Sequence, residues 1–154
     1  MTAYWLMKTE PTTYSIDDLQ REGKTPWEGV RNYQARNFMR DTMRIGDKVL
    51  FYHSNATPPG VVGLAEVCSE SYPDHFALNP DSTYFDPKSS EEKPIWMMVD
   101  VRFVAKFASI ISLETLKSHL ECADMKVVQK GSRLSIQPVS ETDYNFVVSL
   151  AKHL

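Results

Sequence analysis

Alternation of apolar and polar side chains predicts several β-strands along the chain. The clearest run covers residues 95–107, where apolar side chains occupy every second position. Residues 4–8 alternate in the same way, and residues 48–53 (KVLFYH) are apolar on both faces, as in a central strand. The TPPG segment joins this central strand to VVGLAEVC, which predicts a hairpin-like pair. GSRLSIQPV predicts a last strand that ends at Pro138.

Capping residues and helical spacing predict four short helices. Ser15 begins the first helix, Ser112 begins the third, and Ser140 begins the last. The third helix is predicted to extend to Leu120. The second begins at Asn32, and four of its residues are predicted to share one apolar face: Ala35, Phe38, Met39 and Thr42.

Runs of strands separated by short helices favour an α+β domain built around a strongly curved mixed sheet or a small barrel. Residues 69–94 are rich in proline and polar side chains, which predicts a long wrapping loop. The 154 residues suit a single domain over residues 1–154, and a hydrophobic content of 42% excludes a disordered chain.

The N-terminal segment argues against export and membrane insertion. No apolar run approaches the roughly 18 residues that span a bilayer. Lys8 and Glu10 lie where the apolar stretch of a signal peptide would continue. We therefore expect a soluble, cytoplasmic chain with no membrane partner.

Residues that carry out catalysis or bind metals are not arranged in a known pattern. Cys68 and Cys122 lie far apart without a CxxC motif, which predicts buried free thiols and no structural zinc. The four histidines show no HExxH spacing, and no P-loop or dinucleotide fingerprint is present. His53 and Ser54 are neighbours on a predicted strand, so their side chains point to opposite faces. We expect no enzyme activity, no metal and no cofactor.

Charge is distributed unevenly, although the formal net charge is only −3. Residues 31–48 hold five basic and two acidic residues, whereas residues 66–100 hold eight acidic and two basic residues. An arginine at every fourth position from Arg36 to Arg44 forms a stripe that also carries Tyr33. This stripe is either a solvated helix face or a surface on which guanidinium groups bind phosphates and aromatic rings stack on bases.

Trp27 lies in a loop flanked by proline and glycine. An indole at such a position either anchors the loop in the core or forms the wall of a pocket. If it forms a pocket wall, Trp27→Ala should abolish ligand preference and leave the fold intact.

Five segments taken together resemble the EVE domain family. They are YWLMKTEPTTYSIDDL, WEGVRNYQARNFMR, GDKVLFYHSN, PPGVVGLAEV and GSRLSIQPVS, and the resemblance extends from about Ala3 to Ser149. It implies a PUA-like pseudo-barrel with peripheral short helices, related to YTH and ASCH domains. It also implies recognition of a nucleic acid in which a modified base, methylated or hydroxymethylated cytosine in DNA, is flipped into a pocket. Thr9 and Glu28 depart from the serine and aspartate that are common in the family.

The resemblance and the demands of base flipping together suggest a set of site residues. A flipped base needs stacking surfaces, partners for its hydrogen-bonding edge and contacts for its phosphate. The candidate pocket residues are Lys8, Thr9, Trp27, Asn32, Tyr33, His53 and Ser54. The candidate phosphate contacts are Arg36, Arg133 and Ser135. Asn32 is also expected to cap its helix, and an ion pair that stabilises the fold is the alternative role for Arg133.

Three functions are consistent with these residues. The first is a stand-alone, non-enzymatic reader of a modified base in DNA. The second is an RNA-binding module that recognises a modified nucleotide, for which the 2′-hydroxyl is the discriminating group. The third is an enzyme that acts on a small nucleotide-like molecule with His53 or a carboxylate as base. The resemblance favours a bacterial-type cytoplasmic protein, or a nuclear one in a eukaryote, and leaves the oligomeric state open.

Overall fold

The computed structural model describes residues 2–152 and shows a mixed, six-stranded sheet surrounded by short helices. Six strands form the main sheet: β1 (Tyr4–Thr9), β2 (Lys24–Pro26), β3 (Lys48–His53), β4 (Gly60–Val67), β7 (Asp100–Ser112) and β8 (Ile136–Val139). β5 (Tyr72–Pro73) and β6 (Met97–Met98) form a separate two-stranded ribbon. The helices are α1 (Ile16–Glu22), α2 (Tyr33–Asn37), α3 (Leu113–Lys117) and α4 (Glu141–Lys152).

The main sheet has the strand order β2-β7-β4-β3-β1-β8. β1 and β3 are parallel, with Trp5 opposite Val49, and the other neighbouring pairs are antiparallel. Register shifts interrupt the β3–β4 pair after Phe51 and the β4–β7 pair at two points. Bulges of this kind bend and twist strands, which curls the sheet into a half-barrel.

Each face of the sheet packs against its own core. Alternate residues of β1 point to opposite faces, so Trp5 and Met7 belong to one buried cluster and Leu6 to the other. The first cluster also takes Ile16 from α1, and the second takes Tyr144 from α4. Both faces of the central strands are therefore covered, as the apolar pattern of β3 predicts.

Asp47 joins the turn before β3 to the first strand. Its side chain is buried and accepts hydrogen bonds from the backbone N–H groups of Ala3 and Arg44 and from Trp5 Nε1, each at 3.0 Å. These three donors satisfy the buried carboxylate, and no cation in the described part of the chain forms an ion pair with it. This cluster fixes Trp5 as a core residue.

The sequence predictions hold for most elements. Ser15 forms a capping box with Asp18, and the side chains of Asn32 and Ser112 cap α2 and α3. The β3–β4 hairpin is present. The segment 69–94 contains only β5 and one 3₁₀ turn, His75–Leu78, which agrees with a wrapping loop.

Several details of the prediction are wrong. The last strand covers only Ile136–Val139, so it begins five residues after Gly131 and ends one residue after Pro138. The long strand is interrupted at Val99, β2 is an additional strand, and the third helix ends at Lys117, which leaves Leu120 90% exposed. After Asn37 the second helix continues as a π-turn, Phe38–Thr42, closed by a hydrogen bond from Met43 N–H to Phe38 O. The wider turn places Met43 rather than Thr42 on the buried face.

Candidate functional site

A cavity of about 220 Å³ opens where the end of β1 meets the segment that follows β2. Its walls come from four stretches that are distant in sequence. The lining residues are Lys8, Thr9, Thr13, Tyr14, Thr25, Pro26, Trp27, Glu28, Gly29, Val30, Arg31, Tyr84 and Ser135. The volume is below the 300–1,000 Å³ typical of sites for drug-sized ligands, so it suits a single small heterocycle.

Trp27 both anchors its loop and contributes to the cavity wall. The side chain is only 7% exposed, belongs to the core cluster and meets Phe51 edge-on with ring centroids 5.7 Å apart. Its backbone N–H donates to Val99 O at 2.8 Å. The two roles considered for this residue therefore coexist. The buried indole argues against the expectation that Trp27→Ala leaves the fold intact, because the substitution removes a core side chain.

Tyr84 provides a second aromatic wall from the long loop. Its ring lies directly against Gly29, where an added Cβ would come within 2.5 Å of Tyr84 Cζ. Gly29 also has φ +82°, a conformation that other residues rarely adopt. Glycine at this position thus allows both the turn after Trp27 and the close approach of the tyrosine.

Asp74 connects the cavity loop to the long loop. One of its carboxylate oxygens accepts hydrogen bonds from Gly29 N–H at 2.9 Å and from Arg31 Nη1 at 3.1 Å, and the side chain is 1% exposed. Arg31 Nη2 also donates to Tyr84 O at 2.6 Å. The acidic and basic segments of the sequence therefore pair with each other here, which positions the cavity walls.

Lys8 and Glu28 place opposite charges on this cavity. Burial lowers the pKa of Lys8. Burial is also the main cause that raises the pKa of Glu28, and the carboxylates of Asp74 and Glu22 raise it further. The neutral forms of Lys8 and Glu28 are therefore easier to populate here than in exposed side chains. Such a cavity is suited to a polar ligand without net charge.

Four of the residues predicted from sequence line this cavity: Lys8, Thr9, Trp27 and Ser135. Asn32 and Tyr33 follow the cavity loop but lie outside its lining. Asn32 is exposed and its Oδ1 accepts from Ala35 N–H, which confirms the capping role. Tyr33 is 58% exposed and stacks on Trp96 with ring centroids 4.9 Å apart.

His53 and Ser54 also lie outside the cavity lining. His53 Nε2 accepts a hydrogen bond from Ile16 N–H at 3.2 Å, so its lone pair supports the first turn of α1. Burial lowers the pKa of His53, which favours the neutral form that this hydrogen bond requires. The backbone N–H of Ser54 donates to Thr9 O at 2.9 Å and extends the β1–β3 pairing.

The two arginines that are candidate phosphate contacts differ in how many contacts their guanidinium groups make within the protein. Arg36 is half-buried, donates to Ile95 O at 2.8 Å and to Asn37 Oδ1, and lies over the Tyr33 ring. Arg133 is exposed and forms no ion pair within the described residues. It lies in the loop before β8, two residues from the cavity residue Ser135. The ion pair considered as its alternative role is therefore not observed.

Sequence reasoning missed nine lining residues: Thr13, Tyr14, Thr25, Pro26, Glu28, Gly29, Val30, Arg31 and Tyr84. Most are neighbours of Trp27 along the chain, so the proline- and glycine-flanked loop was itself the available signal. Tyr84 had no such signal, because its position depends on the Asp74–Arg31 pair.

The remaining reactive groups stand apart from this cavity. Both cysteines are free, and Cys122 is buried whereas Cys68 is only half-buried. Burial raises the pKa of the Cys122 thiol to about 11. Across residues 2–152 no three His, Cys, Asp or Glu side chains are grouped in a way that could hold a metal. No helix in that range has both the length and the apolar character needed to cross a membrane.

A curled mixed sheet with a small cavity at the end of β1 is typical of a PUA-like domain. The fold of an ASCH protein from Zymomonas mobilis agrees, with a TM-score of 0.58 over 96% of this chain and 98% of that chain at 12% identity. The sequence model of the EVE domain matches residues 3–150. The chain belongs to the EVE domain family.

Relatives at higher identity cover nearly the whole chain. Human thymocyte nuclear protein 1 is 41% identical over 97% of this chain and 74% of that protein. The structure of a hypothetical protein from Leishmania major is 49% identical, with a TM-score of 0.94 over 99% of this chain and 96% of that one. The structure of human THYN1 protein in complex with 5-methylcytosine containing DNA is 40% identical, with a TM-score of 0.91 over 98% of both chains.

Proposed function

We propose that this chain is a non-enzymatic reader of modified cytosine in DNA and that it holds the modified base, flipped out of the duplex, in the cavity beside Trp27. The observation that carries the proposal is the cavity itself, a small space with aromatic walls that is also lined by the side chains of Lys8 and Glu28. A similar chain, human THYN1 protein, is described in complex with 5-methylcytosine containing DNA, and this supports the choice of ligand.

The cavity offers what an unstacked base requires. Trp27 and Tyr84 supply aromatic surface, which is worth roughly 1–3 kcal/mol per base in single-strand binding proteins. The Lys8 ammonium and the Thr9 hydroxyl supply donors for the edge of the base. Pro26 and Val30 add apolar surface, which is suited to a methyl group on the ring.

Contacts to the sugar–phosphate backbone are proposed for Arg133 and Ser135. Arg133 is exposed, and its guanidinium forms no ion pair with any other residue that the structure describes, which makes it available to a phosphate. Arg36 is a weaker candidate, because its guanidinium already donates to Ile95 O and to Asn37. With a net charge of −3, affinity for unmodified duplex DNA should be modest.

The proposed ligand also implies a location. The vertebrate relatives are named thymocyte nuclear protein 1, and a protein that binds DNA must be in the compartment that contains the DNA. We propose a nuclear location in a eukaryotic cell and a cytoplasmic one in a bacterium.

The test is a titration of matched duplexes that differ at one central base: cytosine, 5-methylcytosine or 5-hydroxymethylcytosine. Fluorescence anisotropy is expected to show preferential binding of a modified duplex. An RNA duplex of the same sequence with 5-methylcytosine distinguishes an RNA-binding module from a reader of DNA. Equal affinity for all DNA duplexes would refute the proposal, and preference for the RNA would replace it.

The role of Arg133 has its own test. Arg133→Ala should weaken modified and unmodified duplexes alike and lower the salt slope by about 0.9 if one phosphate contact is lost. Lys117→Ala, which removes an exposed cation outside the cavity, is the control. An unchanged slope in Arg133→Ala would contradict the assignment.

A further inference from the structure

Glu28 is the carboxyl group on the wall of the cavity, and no cation within residues 2–152 forms an ion pair with it. Lys8 and Arg31 line the same cavity, yet within the described residues neither lies within 4 Å of the Glu28 carboxylate. Arg31 instead pairs with Asp74, and Lys8 lies over the Tyr52 ring at 5.7 Å. A half-buried carboxyl group without a counter-ion is costly as an anion, so it favours a ligand that can share a proton with it.

The charges around Glu28 act in the same direction. Asp74 and Glu22 are the carboxylates that act on it, and both disfavour a further negative charge. His75 opposes them in part, as does a hydrogen bond from the backbone N–H of Glu28. Burial and two carboxylates therefore leave this group with a higher pKa than an exposed glutamate.

The Watson–Crick edge of cytosine matches a carboxylic acid in donors and acceptors. Its N4 amino group donates and its N3 accepts, so one carboxyl oxygen can accept from N4 while the other donates a proton to N3. Acceptance from cytosine N4 is the usual role of Glu and Asp in base recognition. An ionised carboxylate would instead place a lone pair against the lone pair of N3.

We infer that Glu28 is the specificity-determining residue for cytosine, holding the flipped base by accepting from N4 and sharing one proton, taken from solvent, with N3. The inference rests on the proposed function, which it deepens by naming how the base is selected. One consequence is proton uptake on binding. Affinity should rise as pH falls, by up to about tenfold per pH unit while both free partners are unprotonated.

Other titratable groups near Glu28 give different signatures. Tyr14 has a pKa raised to about 12 and does not titrate in a range of pH 5.5 to 8.5. His75, from the 3₁₀ turn, acts on Glu28, and Lys8, from β1, lines the same cavity. A pH dependence that comes from any group other than Glu28 persists when Glu28 is replaced by a neutral residue, which separates it from the effect of Glu28.

Glu28→Gln provides the sharpest test, because an amide reproduces the protonated acid without the ionisable proton. Its carbonyl can accept from N4 and its NH₂ can donate to N3. Glu28→Ala removes both contacts and is expected to weaken binding roughly 5- to 150-fold. Glu121→Gln, which removes an exposed carboxylate outside the cavity, controls for net charge. Circular dichroism and thermal melting of each variant check that it is folded.

Affinity for a 5-methylcytosine duplex is then measured from pH 5.5 to 8.5. The unchanged protein and Glu121→Gln should bind more weakly as pH rises, whereas Glu28→Gln should keep its affinity and lose the pH dependence. A pH slope that persists in Glu28→Gln, or full affinity in a folded Glu28→Ala, would overturn the inference while the proposed function stands. Absence of preference for modified cytosine in the unchanged protein at every pH would instead overturn the proposed function.

Discussion

Truncation of Trp27 should destabilise the fold as well as the site. The indole is 7% exposed, packs in the core cluster and makes an edge contact with Phe51. Removing a buried tryptophan side chain typically costs about 3–5 kcal/mol. In a domain of about 150 residues each kcal/mol lowers Tm by roughly 2–4 °C, so Trp27→Ala should lower Tm by about 6–20 °C.

Thermal unfolding followed by far-UV circular dichroism measures this effect. Tyr33→Ala is the matched control, because it removes an aromatic side chain that is mostly exposed and should cost much less. Trp27→Phe should retain most of the stability and bind the modified duplex more weakly, since the smaller ring offers less surface to the base. A Tm change below about 2 °C in Trp27→Ala would show that the indole does not support the core.

Three further substitutions test other parts of the structure. Gly29→Ala should lower the free energy of unfolding by roughly 1–2 kcal/mol, because alanine is strained in the left-handed backbone conformation of this position. It should also weaken binding of the modified duplex, because the added Cβ displaces Tyr84; stability and affinity are measured on the same preparation. Unchanged affinity would show that Tyr84 does not form a wall of the binding site. Asp47→Asn should lower the free energy of unfolding, measured by urea unfolding, by about 1–3 kcal/mol for each donor left unpaired. An unchanged free energy of unfolding would show that these hydrogen bonds do not stabilise the fold. Because burial lowers the pKa of His53, the unfolded chain binds its proton more readily. Stability should therefore be full above pH ~6.5 and fall as pH drops below it, and His53→Gln should reduce that loss.

The elements of this fold were predictable where a single local rule decides them. Alternation identified most of β7, and the side chains of Ser15, Asn32 and Ser112 cap helices as their residue types indicate. The π-turn after Asn37 was not predictable, because helical spacing alone cannot indicate that one turn widens. Tertiary packing determines that Met43, and not the predicted Thr42, lies on the buried face.

The site was predictable only in part, since its walls are assembled by contacts between distant segments. Trp27, Lys8 and Ser135 came from recognisable motifs, and they do line one cavity. Tyr84 depends on Arg31 and on Asp74, which lies 43 residues away from that arginine. No periodicity connects residues so far apart, and the charge imbalance of the two segments was the only indication that they meet.

The proposed function requires one modified cytosine to leave the duplex and enter the cavity. A crystal structure of this chain with a duplex that carries a single 5-methylcytosine tests it directly. The extruded base is expected between Trp27 and Tyr84, with its N3–N4 edge toward Glu28 and the flanking phosphates near Arg133. A 5-methylcytosine that remains stacked in the duplex, or that binds the protein at any other surface, would exclude base flipping into this cavity.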